Sequence, residues 1–355
     1  MEPRDGGAFQ TALTNDQIET LSIVYLSSLS LSLLGSSSVL VAAIIKRRHL
    51  NKQAWPLLQL ALADFLATVL LFLINIMNMV PSAKWPDSIP VCERLLPLCL
   101  AFYCVSFLLV VVYAHESQQA AGGWREEPSG TQDGSQRGAG VASPISYVIA
   151  WMVPVIIYFF YIATEVLVSA RIVKWPKDPV SNEGMSEKYT MFCSSCVLFL
   201  HIRNDTCTHP DVAHDIFVKC FFLISALSVL VCCAVIYHKV SCWLRRYEGG
   251  TMFPVEGDGF SRRQLRGSCM TANSMVLVIM FCWTPAIVLV VLSFIQSIPQ
   301  ETLFPLYVTQ ALTISLQGFL DSIVYGWKRQ NFREAMGERM PLLEKAFYDE
   351  SLTAN

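Results

Sequence analysis

The sequence predicts an all-α membrane protein: a bundle of seven transmembrane helices followed by a short amphipathic helix on the inner membrane surface. Two observations predict this class. The chain of 355 residues is 53% hydrophobic and only 15% charged, whereas soluble domains carry about 25% charged residues. The apolar residues are also gathered into seven long stretches, each with the roughly 20 mainly apolar residues that a helix needs to cross a bilayer.

Each of these stretches is predicted to be a helix, because only a helix pairs all its backbone groups within one lipid-exposed segment. The sixth is the clearest, since no charged residue occurs between Arg266 and Glu301. The third, fifth and seventh are weaker, with Arg94, Lys219 and Asp321 inside them or near their ends. The predicted spans are 21–45, 55–80, 91–115, 144–168, 215–238, 269–296 and 302–326.

These spans divide the chain into an extracellular tail (1–20), the bundle (21–326) and a cytoplasmic segment (327–355). The first 20 residues contain no compact apolar region typical of a cleavable signal peptide, so the first span is predicted to act as a signal anchor. Most of the 26 Lys and Arg residues lie in segments that face the cytoplasm if the amino terminus is outside. The single Asn-X-Ser/Thr sequon, at Asn204, then falls outside, where it predicts glycosylation.

Two loops of the bundle have distinctive compositions. The inner loop 120–142 is rich in Gly, Ser, Gln and Glu without apolar periodicity, which predicts disorder. The outer loop 169–213 contains three cysteines on the oxidising side of the membrane, where disulfides persist. A bridge from Cys92, at the outer end of span three, would pin this loop over the bundle. Cys196 is the favoured partner, with Cys193 and Cys207 as alternatives, because sequence alone does not fix connectivity.

Two carboxylates fall inside predicted spans, Asp64 in the second and Asp321 in the seventh. A charged group at mid-membrane costs about 2.5–3.5 kcal/mol or more, so each acid needs a partner or a use. If spans two and seven adjoin, the pair can hold a cation or share one proton, since two nearby carboxylates resist simultaneous ionisation. Alternatively, each acid hydrogen-bonds to neighbouring polar side chains, for which the candidates are Asn75, Ser315 and Ser322.

Span six contains the sequence Cys282-Trp283-Thr284-Pro285. The proline removes a backbone hydrogen bond and predicts a kink, about which the inner half of the helix can swing. The indole beside the kink is placed to sense what occupies the bundle. Trp283 and Pro285 are therefore predicted switch residues.

The segment after span seven, 327–340, is predicted to be the amphipathic helix on the inner surface. Phe332, Ala335, Met336 and Met340 recur near helical spacing among Arg and Glu residues.

Five motifs occur at similar places in a known superfamily: Leu60-Ala61-Leu62-Ala63-Asp64, Trp85, Cys92, Cys282-Trp283-Thr284-Pro285 and Asp321-Ser322-Ile323-Val324-Tyr325. Together they resemble the G-protein-coupled receptor superfamily over residues 20–340. The segment 316–326, which includes Gln317, is most similar to the cyclic-AMP-receptor-like and secretin-like branches, and a narrower resemblance is to the transmembrane protein 116 family. The resemblance implies a sodium site at Asp64, coupling of ligand to helix-six motion through Trp283, and an active form stabilised by Tyr325.

Other motifs depart from that superfamily. Span three ends in Glu116-Ser117-Gln118 instead of the acid-Arg-aromatic triplet of rhodopsin-like receptors, although the cyclic-AMP-receptor-like and secretin-like branches also lack that triplet. In span seven, Asp321-Ser322 stands in place of Asn-Pro, and no lysine is present to hold retinal.

The sequence therefore predicts a receptor-like protein that transmits the binding of an extracellular ligand through movement of helix six, with a heterotrimeric G protein as the expected inner partner. The alternatives are an adaptor or trafficking protein that does not couple, and a transporter that uses Asp64 and Asp321. An enzymatic role is not expected, because the chain contains no zinc-protease, nucleophile-elbow or phosphate-loop motif. No cofactor is expected apart from the sodium ion, and no nucleic-acid partner is expected.

Overall fold

A computed structural model describes residues 13–45, 55–79, 88–123, 144–168, 196–197, most of 220–242, 259–295 and 298–328. Within these ranges every regular element is a helix, so the all-α prediction is confirmed. A short 3-10 turn, Gln300–Leu303, precedes the seventh α-helix. The α-helices are α1 (Asn15–Ile45), α2 (Trp55–Met79), α3 (Ser88–Gly123), α4 (Pro144–Val168), α5 (Ala226–Lys239), α6 (Gly259–Ser293), α7 (Phe304–Ser315) and α8 (Gln317–Lys328).

The described residues contain 6 helical segments long and apolar enough to cross a membrane. They coincide with six of the seven predicted spans, which confirms a multi-pass membrane protein. The remaining prediction, 215–238, is matched only in part by the shorter apolar helix α5, and some of its residues lie outside the described ranges. The count of seven therefore stays a prediction. The six segments are Asn15–Ile45, Trp55–Met79, Arg94–Ser117, Ile145–Ala163, Met270–Ser293 and Gln300–Tyr325.

Several element boundaries differ from the prediction, including the start of α6, which lies at Gly259 and not at 269. Helix α1 begins at Asn15, inside the predicted tail, because Thr14 and Gln17 cap it reciprocally: the Gln17 N–H donates to Thr14 Oγ1 (3.3 Å) and the Thr14 N–H to Gln17 Oε1 (3.0 Å). Helix α3 continues to Gly123, four residues into the segment predicted to be disordered, and 124–142 lies outside the described residues. The seventh span is interrupted at Leu316, between α7 and α8.

The helices pack so that α2 and the inner half of the seventh span adjoin. Helix α1 lies against α2, α7 and α8, and α2 also packs on α3 and α8. Helix α3 contacts α4 and α6, and α6 contacts α7 and α8. The contact between α2 and α8 places the segments that carry the two predicted acids side by side.

Helix α4 packs mainly on α3 and turns most of its apolar side chains outward. Ile149, Ile156 and Phe160 on this helix are 53%, 57% and 70% exposed. Lipid tails are as apolar as these side chains, so this exposure is the expected arrangement for a peripheral membrane helix.

The interior of the bundle combines apolar packing with many polar side chains. Its largest fully buried side chains are Tyr25, Tyr103 and Tyr307. Buried polar groups in lipid must find partners within the protein, so their arrangement identifies the candidate site. Those at or near mid-span include Ser32, Asp64, Thr68, Ser106, Ser315, Gln317 and Asp321.

Candidate functional site

Asp64 lies at the centre of a hydrogen-bonded cluster that joins α2, α3 and α8. The residue is 1% exposed. Its Oδ1 accepts hydrogen bonds from Ser106 Oγ (2.7 Å) and Gln317 Nε2 (3.2 Å). Gln317 Nε2 also lies 3.1 Å from Ser106 Oγ. Hydrogen bonds to a charged group contribute more than neutral ones, so this cluster ties the three helices together at the level of the acid.

The same glutamine connects the acid to helix α6. Gln317 Oε1 accepts a hydrogen bond from Trp283 Nε1 at 2.8 Å. The indole packs edge-on against Tyr103 and Phe107 of α3, with ring centroids 5.3 and 4.8 Å away. Trp283, Gln317 and Asp64 therefore form one continuous chain of hydrogen bonds across the core.

Asp321 faces Asp64 from the next turn of α8. Asp321 is 0% exposed, and neither of its carboxylate oxygens receives a hydrogen bond from a donor within the described residues. The Oδ2 atom of Asp64 is likewise without a donor there. The two carboxyl groups lie close enough to hydrogen-bond to each other once one of them carries a proton. The structure thus brings together the two acids that the sequence singled out.

The neighbouring polar residues named as alternative partners do not bind the acids. Asn75 Nδ2 donates to the Leu71 carbonyl (2.8 Å), and Ser322 Oγ donates to the Phe319 carbonyl (2.6 Å). The Ser315 hydroxyl bonds to neither acid, and the Ser315 backbone carbonyl accepts a hydrogen bond from Ser32 Oγ. That alternative was therefore wrong for these three residues: a serine of α3, Ser106, takes the role instead.

Three of the four carboxylate oxygens of the pair lack a donor within the described residues, and the Ser106 hydroxyl donates to the fourth, Asp64 Oδ1. Hard cations such as Na⁺ and Ca²⁺ prefer oxygen ligands, and a proton shared between carboxylates uses the same atoms. The residues present therefore fit the predicted sodium ion or shared proton. Asp64 and Asp321 would hold either one.

The other predicted switch residues lie next to this cluster. Tyr325 is 3% exposed, one helical turn beyond Asp321, and is close to that acid and to Tyr113 of α3. Pro285 lies within α6, two residues after Trp283, and α6 stays helical across it. Because proline has no N–H, the carbonyl four residues earlier loses its ladder partner at this point.

The loop predicted to lie outside approaches the bundle through Asn78, near the carboxyl end of α2. Asn78 Oδ1 accepts a hydrogen bond from the Cys196 backbone N–H (2.7 Å), and its Nδ2 donates to the Cys196 carbonyl (3.2 Å). Sequence reasoning missed this contact, because an Asn near a helix end is an ordinary residue. Asn204, Cys193, Cys207 and the side chain of Cys92 lie outside what the structure describes.

The fold and the buried site define a class: multi-pass helical membrane proteins with a polar core. The family model for transmembrane protein 116 matches residues 19–341, which is most of the chain. The chain belongs to the transmembrane protein 116 family, in agreement with the narrower of the resemblances drawn from the sequence.

Proposed function

We propose that this protein is a receptor-like signalling protein, in which an extracellular ligand shifts the bundle between two states. The observation that carries the proposal is the hydrogen-bonded chain from Trp283 through Gln317 to Asp64. This chain connects the proline-containing helix α6 to the acids of α2 and α8. A ligand shifts such an equilibrium only through its different affinity for the two states.

Movement of α6 would act on this chain directly. Pro285 weakens the α6 ladder just beyond Trp283, so the inner half of the helix can swing with little loss of backbone hydrogen bonding. Such a swing would pull the indole away from Gln317 Oε1, 2.8 Å distant in the present state. Gln317 would then be free to reorient against Asp64 and Ser106. Tyr325, beside Asp321, would stabilise the second state.

The acid pair supplies the electrostatic part of the switch. Two carboxylates in contact and out of water bind one positive charge, either a sodium ion or a proton. The state with the tightest pair would bind that charge most strongly. Loss of the bound sodium ion or proton would favour a state in which the acids separate. Binding of that charge and binding of the extracellular ligand would therefore be coupled.

The outer surface in this proposal has an external amino terminus, glycosylation at Asn204 and a disulfide that holds the outer loop. We favour a Cys92–Cys196 bridge. One observation supports it: two hydrogen bonds with Asn78 hold the backbone of Cys196 at the end of α2. Cys193 and Cys207 remain the alternative partners.

The inner partner is proposed to be a heterotrimeric G protein. In place of the rhodopsin-like acid-Arg-aromatic triplet the chain has Glu116-Ser117-Gln118. Glu116 Oε2 accepts a hydrogen bond from Tyr147 of α4 at 2.6 Å. This acid therefore contacts a neighbouring helix in the present state. Coupling would use a contact surface unlike that of rhodopsin-like receptors.

A G-protein activation panel in cells tests the proposal, with surface amounts measured for every variant. Basal signalling should change in Trp283→Phe, which removes the donor to Gln317, and in Asp64→Asn. The matched control is Trp151→Phe, because Trp151 Nε1 also donates to a glutamine, Gln59 (3.3 Å), away from the acid pair. Equal signalling by all variants across every G-protein class, with each at the surface, would favour the adaptor or trafficking alternative.

A transporter is the second candidate, favoured by one observation: the oxygens of Asp321 receive no hydrogen bond from a donor in the described ranges. Such groups mark ion and proton pathways in membrane proteins. Sodium or proton flux into vesicles containing the purified protein separates the two functions. Flux that is abolished by Asp64→Asn would establish transport, whereas the receptor proposal expects no flux in either protein.

A further inference from the structure

The break in the seventh span is occupied by a side chain from another helix. In a regular helix the Phe319 N–H would donate to the Ser315 carbonyl. Here the Phe319 N–H donates to Ser32 Oγ of α1 (3.1 Å), and the same hydroxyl donates to the Ser315 carbonyl. Two neighbouring backbone bonds are present, from the Leu316 N–H to the Leu312 carbonyl (3.0 Å) and from the Leu320 N–H to the Leu316 carbonyl (2.9 Å). One hydroxyl thus bridges the two backbone groups.

Insertion of a side chain into the ladder is one of the known causes of a helix break. Most serines in α1 do something different. Ser28 Oγ donates to the Val24 carbonyl and Ser36 Oγ to the Ser32 carbonyl, both within their own helix. Ser32 is the one described serine of α1 whose hydroxyl is shown bonding to the seventh span.

The two helices meet closely enough for this contact because glycines line it. A Cβ added at Gly35 would lie 2.5 Å from Ser322 Oγ and 3.1 Å from Phe319 Cα. At Gly318 an added Cβ would meet Ser32 Oγ and Asp64 Cβ, both at 3.5 Å. The Ser32 hydroxyl and the Asp64 side chain therefore border the same space beside Gly318.

The break also lies next to the residue that joins the two halves of the site. Gln317 is the first residue of α8, between the carbonyl and the N–H that Ser32 bridges. Its side chain reaches Trp283, Ser106 and Asp64 at 2.8–3.2 Å. These distances from the Gln317 side chain depend on the position of the start of α8 relative to α7.

We propose that Ser32 is a positioning residue, whose hydroxyl holds the seventh span open and thereby sets Gln317 and Asp321 against Trp283 and Asp64. Without the hydroxyl, the Ser315 carbonyl and the Phe319 N–H can pair directly, and α8 moves relative to α7. Helix α1 is then part of the switch. The role in switching rests on the proposed function, whereas the positioning itself does not.

A double-mutant cycle on the purified protein in lipid nanodiscs tests the positioning. The apparent thermal midpoint is measured for wild type, Ser32→Ala, Gln317→Leu and the double variant. If Ser32 acts by placing Gln317, the double variant loses clearly less than the sum of the single losses, because the second change finds the contact already broken. A cycle of Ser36→Ala with Gln317→Leu is the control and should be additive. Additivity in the Ser32 cycle would overturn the proposal.

Gly35→Ala gives a second route to the same displacement. It separates α1 from α8 while keeping the Ser32 hydroxyl, so its loss should also overlap with that of Gln317→Leu. If Gly35→Ala fails to fold, the Ser32 cycle alone decides.

A second readout separates positioning from simple packing. The shift of the midpoint with sodium concentration, at fixed ionic strength, should shrink in Ser32→Ala and persist in Ser36→Ala. A full sodium response in Ser32→Ala would contradict positioning of the acids. If the thermal midpoint of the wild-type protein responds neither to sodium nor to pH, the switch function proposed for the acid pair is wrong. The double-mutant cycle of Ser32 and Gln317 still tests the positioning independently.

Discussion

The surroundings of Asp64 and Asp321 differ although the two carboxylates face each other. Asp64, between α2 and α3, receives hydrogen bonds from Ser106 and Gln317. Asp321, on α8, receives none from a donor within the described residues. Fixed donors stabilise the ionised form of the first acid in every state that keeps them. In the proposed switch the second acid depends on a positive charge that can leave, so the pair would have one structural and one exchangeable member.

The largest effect is expected for Asp64→Leu. This change leaves the Ser106 hydroxyl without its acceptor and removes one of the two acceptors of the Gln317 amide. An unsatisfied buried donor costs about 1–3 kcal/mol. The apparent thermal midpoint in nanodiscs should fall strongly. Asp64→Asn is the matched control, because its amide oxygen still accepts both hydrogen bonds. A fall as large in Asp64→Asn as in Asp64→Leu would show that the charge, rather than the acceptor, holds the cluster.

The opposite direction is expected for Asp321→Asn. The amide removes one of two facing negative charges, and its NH₂ group can donate to Asp64 Oδ2, which lacks a donor within the described residues. The thermal midpoint should rise, by an amount corresponding to about 1 kcal/mol for one added hydrogen bond, and its dependence on sodium should disappear. A lower midpoint would mean that Asp321 has a structural role like that of Asp64.

A smaller loss, of about 1 kcal/mol, is expected for Trp283→Phe, which removes the hydrogen bond to Gln317 and keeps an aromatic ring against Tyr103 and Phe107. Stability and the sodium response should both decrease. Trp151→Phe loses a similar bond to Gln59 on the α4 side, and should leave the sodium response unchanged. Equal loss of the sodium response in both variants would show that Trp283 is not specifically coupled to the acid pair.

The smallest effect is expected for Tyr147→Phe near the amino-terminal end of α4. It removes the 2.6 Å hydrogen bond to Glu116, where the acid is only partly buried and water can replace the phenol. The stability change should not exceed about 0.5 kcal/mol, the lower end of the net value of one hydrogen bond. Because this pair lies apart from Asp64 and Asp321, the sodium response should be that of wild type. Loss of the sodium response in Tyr147→Phe would show that α4 also takes part in the switch.

The spans and the two acids could be predicted from the sequence because each depends on a local property. Apolar length identifies a span, and a carboxylate within one is conspicuous because it is costly. The partners of the acids could not be predicted in this way. Ser106 and Ser32 are serines in apolar helices, and such residues usually bond to their own backbone, as Ser28 and Ser36 do.

The interruption of the seventh span was missed for the same reason. Its sequence, around Leu316, contains no proline, and Gly318 alone does not identify a break. The cause lies in α1, nearly three hundred residues earlier, at Ser32. The Ser32 hydroxyl reaches the backbone of the seventh span only because α1 packs on α8. Gly35 of α1 and Gly318 of α8 together permit this close approach.

Infrared spectroscopy of the carboxyl groups tests the central claim most directly, that Asp64 and Asp321 together bind one exchangeable positive charge. In sodium-free buffer the wild-type protein should show a protonated carboxyl band that is absent from Asp321→Asn, and added sodium should reduce it. A spectrum without that band, unchanged by sodium and by Asp321→Asn, would contradict the account.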